Sequence, residues 1–437
     1  MTDARSSDLG QATSLLRGPL DASAARNLLF ALVYLRVSDP ENWESVRSSR
    51  GFNVVESLSR DPTIREIISL PSIYDPLSAP AFAQLVEIVD RVTQRDEAAA
   101  VFEQLLESFA DLGGPRDNGF YTPRSVTSVL ASILAVESAP SLYDPACGSG
   151  ELLVAAAEYM SIRPRSVMAY GSAIDSESLH IARMNLTLHG VPNNISLRGR
   201  GNYSELFDAP QRFSRVLANP PFSQRWSDFH PEPALYARPA KGRPVFAWLE
   251  HAIRSLDADG RAAVIMPNVT LFSANKYDIA ARQGMLEDGC VEAIIALPPE
   301  LFHHTRIPVC VWLLLPPGPT RDQILLVDAS TAGHMVNRTR REIRGKEIAE
   351  ITEAIRMWRS RGLAEITSST AAVSLADIRE RNYNLSPGVY IKASPLGTDL
   401  CSTELSVEQL MSRLAGLRES AEAKDAAAEQ LLRRLKW

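Results

Sequence analysis

A chain of 437 residues with 45 % hydrophobic and 22 % charged residues has room for two or three soluble globular domains and a large core. Its net charge of −6 excludes a uniformly basic nucleic-acid binder but leaves room for a local basic groove. Four cysteines, Cys147, Cys290, Cys310 and Cys401, form no C-x-x-C pair, the N-terminus lacks a signal pattern, and the longest apolar runs, such as 309–315, are too short to span a bilayer. Neither a zinc framework nor a disulfide scaffold nor a membrane protein is indicated, and a reducing cytoplasm is the expected setting.

Residues 1–19 are polar and predict a mobile segment. A helix follows, with Asp21 or Ser23 as N-cap and Leu28, Leu29, Leu32, Val33 and Leu35 on its apolar face, ending near Ser38-Asp39-Pro40. Helical spacing returns at 82–92 and 98–106, with Pro62, Pro71, Pro76 and Pro80 punctuating the ground between. Residues 1–114 therefore predict an N-terminal helical domain, which on its pattern alone serves packing. Residues 113–119 have the composition of a linker.

A helix then opens after Phe120-Tyr121-Thr122-Pro123 and runs through Val126, Val129, Leu130 and Ile133. From there strands alternate with helices. Strands are expected at 141–143, 167–173, 195–197, 215–218, 262–266, 291–297, 309–315 and 323–327, and helices at 151–160, 176–189, 244–256 and 275–287. Such alternation predicts βαβ units and an α/β domain, residues 115–335, built on a mostly parallel sheet. The remaining residues, 336–437, form an extension. Its segment 338–346 holds Arg338, Arg340, Arg341, Arg344 and Lys346 against Glu342, which reads either as a solvated helix face or as a phosphate contact. Near the end, Val407, Leu410, Leu414, Leu417, Ala421, Lys424, Ala428, Leu431 and Leu435 recur in steps of three and four, a heptad seam that either folds back or pairs with a partner helix.

Two islands carry chemistry. The first is Asp144-Pro145-Ala146-Cys147-Gly148-Ser149-Gly150, between a strand and a helix. Gly148 and Gly150 permit a sharp turn and close approach of a ligand, as in the nucleotide-holding corner of a doubly wound sheet. With no third glycine, a dinucleotide is not the obvious guest, and a glycine turn alone is also ordinary turn chemistry. The second island, Asn219-Pro220-Pro221-Phe222, follows another strand. Its prolines stiffen the turn and remove N–H donors. An amide oxygen on Asn219 and the Pro220 carbonyl can together accept both hydrogens of one planar NH₂, favouring a more tetrahedral, more nucleophilic nitrogen. Phe222 offers a face for the ring carrying that NH₂. The chemistry these residues fit is in-line displacement of a methyl group from a sulfonium, with the protein supplying position.

Together, in this order, Gly119-Phe120-Tyr121-Thr122-Pro123-Arg124, the Asp144 glycine loop and Asn219–Phe222 resemble the S-adenosylmethionine-dependent DNA adenine methyltransferases. Within them, the resemblance is to the modification subunits of type I restriction-modification systems, and it covers most of the chain. Residues 260–267 and 291–298 resemble the family's later core strands, and residues 28–39 its N-terminal helical domain. The resemblance implies a Rossmann-like methyltransferase sheet with an N-terminal helical domain and a C-terminal helical tail. It implies S-adenosyl-L-methionine as cofactor. Phe120, Tyr121, Thr122 and Pro123 would cover its methionine end, and Asp144, Ala146, Gly148, Ser149 and Gly150 would form its floor. Asn219, Pro220, Pro221 and Phe222 would act on an adenine flipped out of DNA. The implied partners are DNA, a specificity subunit and a restriction subunit, with the C-terminal helix as a docking element.

Two positions depart from the family pattern. Where an acidic residue usually ends the second strand, for the ribose hydroxyls, this chain has Ala173. Asp175, two residues on, either takes that role or caps the helix beginning at Ser176. A Gly-Asp near the adenine is here Gly201-Asn202, which can hydrogen-bond but brings no charge. Two other readings stay open: methylation of a planar NH₂ on a protein or small molecule, since the same tetrapeptide resembles that of glutamine-amide methyltransferases, and a non-catalytic scaffold.

Overall fold

Strand order in the central sheet decides where a ligand can sit. In a computed structural model, the structure describes residues 2–48, 62–68, 79–93, 97–112, 121–134, 139–160, 167–197, 211–222, 236, 245–302, 306–362 and 369–391, with the side chains of 2–6 and 111–112 left out. These residues all belong to one compact unit, 1–392. The nine strands of the sheet run in the order β11-β8-β6-β7-β5-β4-β1-β2-β3. They are β1 (Ser141–Asp144), β2 (Met168–Ala173), β3 (Asn193–Leu197), β4 (Phe213–Ala218), β5 (Leu256–Pro267), β6 (Val291–Ala296), β7 (Val309–Leu314), β8 (Gln323–Asp328) and β11 (Thr370–Ser374). A separate two-stranded ribbon pairs β9 (His334–Met335) with β10 (Arg341–Glu342).

From β1 the chain winds outward to β2 and β3, then returns to the other side of β1 as β4, all in parallel. The reversal between β1 and β4 is a topological switch point, where open α/β sheets bind ligands at the carboxyl ends of the strands. Both islands leave the sheet there. On the far side β7 runs antiparallel to both β5 and β6, and β11 antiparallel to β8. Strands β6 and β7 are buried at every position, which explains their continuous apolar runs.

All eight expected strands form. The sheet also takes in β11, beyond the expected boundary at 335. Expected strand ends hold to within two residues, save one. Strand β5 begins at Leu256, not 262, because Asp257–Gly260 stays in the strand: a Cβ on Gly260 would lie 2.9 Å from the Phe213 carbonyl, so glycine here serves close strand contact, not a turn. The helix expected to reach 256 accordingly stops at Arg254.

Residues 2–16 are not a mobile segment. They form α1 (Thr2–Leu16), which buries Leu9, Ala12 and Leu16 on one face at helical spacing. With α2 (Ala22–Ser38), α3 (Pro40–Ser48), α4 (Pro62–Ile68), α5 (Ala79–Val92) and α6 (Ala98–Leu112) it builds a helical core, in which Phe30 packs on Phe102 with ring centroids 4.5 Å apart. Asp21, not Ser23, caps α2, accepting from the Ala24 N–H at 2.8 Å. Three further helices, α7 (Arg124–Leu134), α8 (Glu151–Met160) and α9 (Ser176–Leu188), flank β1 and β2 in sequence. Ile181 and Met184 of α9 belong to the same core as the N-terminal helices. Ser23 Oγ donates to Glu177 at 2.7 Å and Arg26 pairs with the same carboxylate, so the N-terminal helices are joined to the sheet layer by both apolar and charged contacts.

The basic segment is neither a helix face nor free for phosphate along its length. It carries β10, and Arg340 is held by Glu107 of α6 and by Glu342, both at 2.8 Å. Arg344 precedes α10 (Gly345–Arg361), where Glu347 accepts from the Arg344 N–H at 2.8 Å as the acidic half of a capping box. The linker 113–119 and the heptad seam 407–435 lie outside the described residues.

Candidate active site

Strand β1 ends in Asp144, whose carboxylate turns back to accept from the Ala146 N–H at 2.8 Å. The side chain is buried, and burial pushes its pKa up to about 7 against the opposing pull of that hydrogen bond. Gly148 and Gly150 follow at φ 52° and 87°, a conformation that costs other residues about 1–2 kcal/mol. Cys147 N–H donates to the Ser172 carbonyl at 3.1 Å, tying the loop to β2. Gly171 makes room beneath it, since a Cβ there would lie 2.9 Å from Ile195 and 3.1 Å from Cys147.

Helix α8 begins directly after the loop, with the Val154 N–H donating to the Gly150 carbonyl. Behind the turn, Asn185 of α9 donates its side-chain N–H to the Ser149 carbonyl at 2.9 Å, and Ser149 Oγ donates to Glu151 at 2.7 Å. Burial pushes the Glu151 carboxyl up to about 8, with the Ser149 hydrogen bond opposing it.

Strand β4 pairs with β1 through Tyr143 and Val216, so Asn219 leaves the sheet beside the Asp144 loop. The Asn219 amide Nδ2 donates to Thr122 Oγ1 at 3.1 Å. Thr122 and Pro123 are buried, and the Pro123 carbonyl accepts from Val126 and Thr127 to start α7. Pro220 is buried. Pro221 and Phe222 are half-buried, and Phe222 packs against the main core. Tyr121 is half-buried, and burial first, then Glu107, holds its hydroxyl well above the ordinary tyrosine range. A cavity of about 370 Å³ opens behind these residues, between α6, α7, α8 and α9, with Tyr121, Thr122, Glu151 and Asn185 in its wall.

Asp175 is the N-cap of α9, accepting from the Ser178 N–H at 2.9 Å. Ala173 is buried at the end of β2. Phe120 and Asn202 lie outside the described residues. Sequence reasoning gave no role to Asn185 or Glu151. The one visible signal was a polar residue set between Met184 and Leu186 on the buried side of a helix.

The N-6 DNA methylase family model matches residues 93–398. The chain belongs to the N-6 DNA methylase family. It is 26 % identical over 343 residues to the type I restriction enzyme HindI methylase subunit of Haemophilus influenzae, covering 77 % of this chain and 76 % of that one. Identity to the MjaIX methylase subunit of Methanocaldococcus jannaschii is also 26 %, over 348 residues, covering 74 % of this chain and 62 % of that one. Its fold is like that of the type I restriction-modification methyltransferase subunit from Streptococcus thermophilus, with a TM-score of 0.74 at 21 % identity over 90 % of this chain and all of that one.

Proposed function

We propose that this chain is the methylating subunit of a type I restriction-modification system, transferring a methyl group from S-adenosyl-L-methionine to the N6 amine of an adenine in DNA. The contact of Asn219 with Thr122, beside the Asp144 loop, is the observation that carries this reading. It joins the residues assigned to the target amine with those assigned to the methionine end of the cofactor. The family match favours DNA over the protein-amide and scaffold readings.

The residues fit the cofactor. Two glycines at positive φ keep side chains off the loop surface. Phe120, Tyr121, Thr122 and Pro123 hold the methionine end. Asp144, Ala146, Gly148, Ser149 and Gly150 form the floor, and Asp175 and Asn202 serve the nucleoside side. Bound S-adenosyl-L-methionine supplies a methyl group on a positively charged sulfur.

With Nδ2 committed to Thr122, the planar Asn219 amide presents Oδ1 on its other edge. That oxygen and the Pro220 carbonyl accept the two amine hydrogens and draw the adenine nitrogen toward a tetrahedral, nucleophilic geometry. Pro220 and Pro221 keep the acceptors from relaxing. Phe222, backed by the core, stacks on the adenine ring. Reaching this site requires the base to leave the duplex, at a cost of roughly a few kcal/mol. A specificity subunit selects the DNA site, and residues 404–437 contribute to docking it.

Calorimetric titration of the full chain with S-adenosyl-L-methionine tests the reading, with Asn219→Ala alongside. Wild type and variant are both expected to bind, with methyl transfer lost only in the variant. Absence of binding to the wild type, with a specificity subunit present, would overturn it.

A further inference from the structure

The ribbon β9–β10 stands at the same end of the sheet as the two islands. Strands β1, β4, β5, β6 and β8 run parallel, with β5 and β6 related through the antiparallel β7 between them. Their carboxyl ends therefore share one edge. Asn219 follows β4 there, and the ribbon follows β8. Three ties fix the ribbon in place. The Arg341 N–H donates to the Glu300 carbonyl, beyond β6, at 2.8 Å. The Gly333 N–H donates to Glu347 at 2.7 Å. Arg340 pairs with Glu107 of α6, which lines one cavity with Tyr121 and Thr122. Thr122 is the residue that receives the Asn219 amide.

The tip of the ribbon is braced. The Val336 N–H donates to the Arg340 carbonyl at 2.9 Å. Asn337 Oδ1 accepts from the N–H groups of Thr339 at 2.9 Å and Arg340 at 2.8 Å. An Asn side chain bonded to the backbone in this way shapes the turn by itself. At the foot, Gly333 lets the strands close, since a Cβ there would lie 2.4 Å from the Glu342 carbonyl.

Residues 338–346 carry five cations against Glu342, in a chain of net charge −6. The nearby carboxylates are already committed. Glu342 pairs with Arg340, Glu347 accepts from the Gly333 and Arg344 N–H groups, and Glu350 faces Lys346. Two arginines are left over. Arg338, exposed at the tip, makes no hydrogen bond or ion pair among the described residues. Arg344, also exposed, donates from Nε to His334 Nδ1 at 3.1 Å and makes no ion pair among the described residues. A guanidinium without a carboxylate matches a phosphate in charge and in geometry.

We propose that β9–β10 is a DNA-contacting hairpin, with Arg338 and Arg344 each on a backbone phosphate of the duplex whose adenine enters the site. The inference rests on the DNA methylation proposed above and gives it a binding surface. Such contacts fix position on the duplex and read no sequence, which leaves site selection to the specificity subunit. Exposed Met335 and Val336 beside the turn would suit a protein surface, but two arginines without carboxylates suit phosphate better.

The test uses the full chain with its specificity subunit and a fluorescent random-sequence duplex, titrated at salt concentrations between roughly 50 and 200 mM. Arg338→Gln and Arg344→Gln should each weaken binding about tenfold and lower the slope of log affinity against log salt by about 1, and the double variant by about 2. Arg356→Gln is the control, since Arg356 is an exposed arginine paired with Glu353, and its slope should match wild type. Cofactor affinity should be unchanged throughout. Labelled-methyl transfer to chromosomal DNA lacking adenine methylation is read in parallel. Transfer by the wild type, with equal salt slopes in wild type and double variant, would overturn the hairpin contact and leave the methylation reading intact. Slopes that fall as expected, without transfer by the wild type, would support the hairpin and overturn that reading. Loss of co-elution with the specificity subunit in the double variant would make the ribbon a protein contact and overturn the proposal, as would absence of duplex binding by the wild type.

Discussion

The Asn219 amide donates to the Thr122 hydroxyl at 3.1 Å across 97 residues of sequence. In the proposed reading, this contact orients the group that would receive the target amine through the segment that would hold the cofactor. Replacing Asn219 with Ala removes the acceptor itself and should lower methyl transfer by about 10²–10³-fold or more. Thr122→Val keeps the acceptor but releases its orientation, and a smaller loss, about tenfold, is expected. Single-turnover transfer of labelled methyl, with cofactor affinity measured separately, checks both. An unchanged rate in Thr122→Val would show that the contact does not orient the amide.

Asp175 caps α9 and stands on the nucleoside side of the proposed cofactor site. Its change to Ala should cost about 1 kcal/mol of stability from the lost cap, read by urea unfolding. Asp175→Asn keeps a capping oxygen. Cofactor affinity lost in both variants would assign Asp175 to the cofactor. Affinity kept in both would leave it as a cap alone.

Glu292 sits in the otherwise apolar strand β6, buried, with Arg359 at 2.8 Å and Arg261 at 2.7 Å. Burial alone would raise its carboxyl, but the two guanidinium groups outweigh burial and hold it below the ordinary range. Its stabilising contribution is therefore complete above the ordinary glutamate pKa and is lost as the pH falls through the depressed one. Glu292→Gln leaves two arginines without their carboxylate and should cost about 3–5 kcal/mol near neutral pH. Denaturant titrations of wild type and variant across the acid range should converge as the pH drops.

Asp144 and Glu151 behave oppositely. Their folded pKa values, about 7 and about 8, lie above the ordinary 3.8 and 4.5, so between those limits the folded chain binds more protons than the unfolded one. Their contribution makes stability fall as pH rises through that window. Asp144→Asn and Glu151→Gln should each flatten the slope between roughly pH 5 and 8. Thermal unfolding across that range, without cofactor, provides the measurement.

Local chemistry made much of the site readable. Apolar residues before Asp144, glycines after it and apolar spacing beyond placed β1, the loop and α8, whose limits at 151 and 160 were as expected. Asn219-Pro220-Pro221-Phe222 was readable because prolines cannot continue a strand. Pairings set by distant parts of the chain were not. The Thr122–Asn219 bond and the Glu292–Arg359 pair have no local signature. Strand β11, Thr-Ala-Ala-Val-Ser, lacks clear alternation and forms because β8 offers it an edge. The polar start of α1 hid a helix whose buried face rests on only a few apolar positions, Leu9, Ala12 and Leu16 among them.

The most direct measurement is nucleoside mass spectrometry of DNA from cells expressing this chain with a specificity subunit, in a host lacking adenine methylation. Wild type should produce N6-methyladenine at defined sites, and Asn219→Ala, expressed to the same level, should produce none. DNA free of N6-methyladenine, with labelled methyl appearing instead on protein or on no acceptor, would contradict methyl transfer to adenine by this chain.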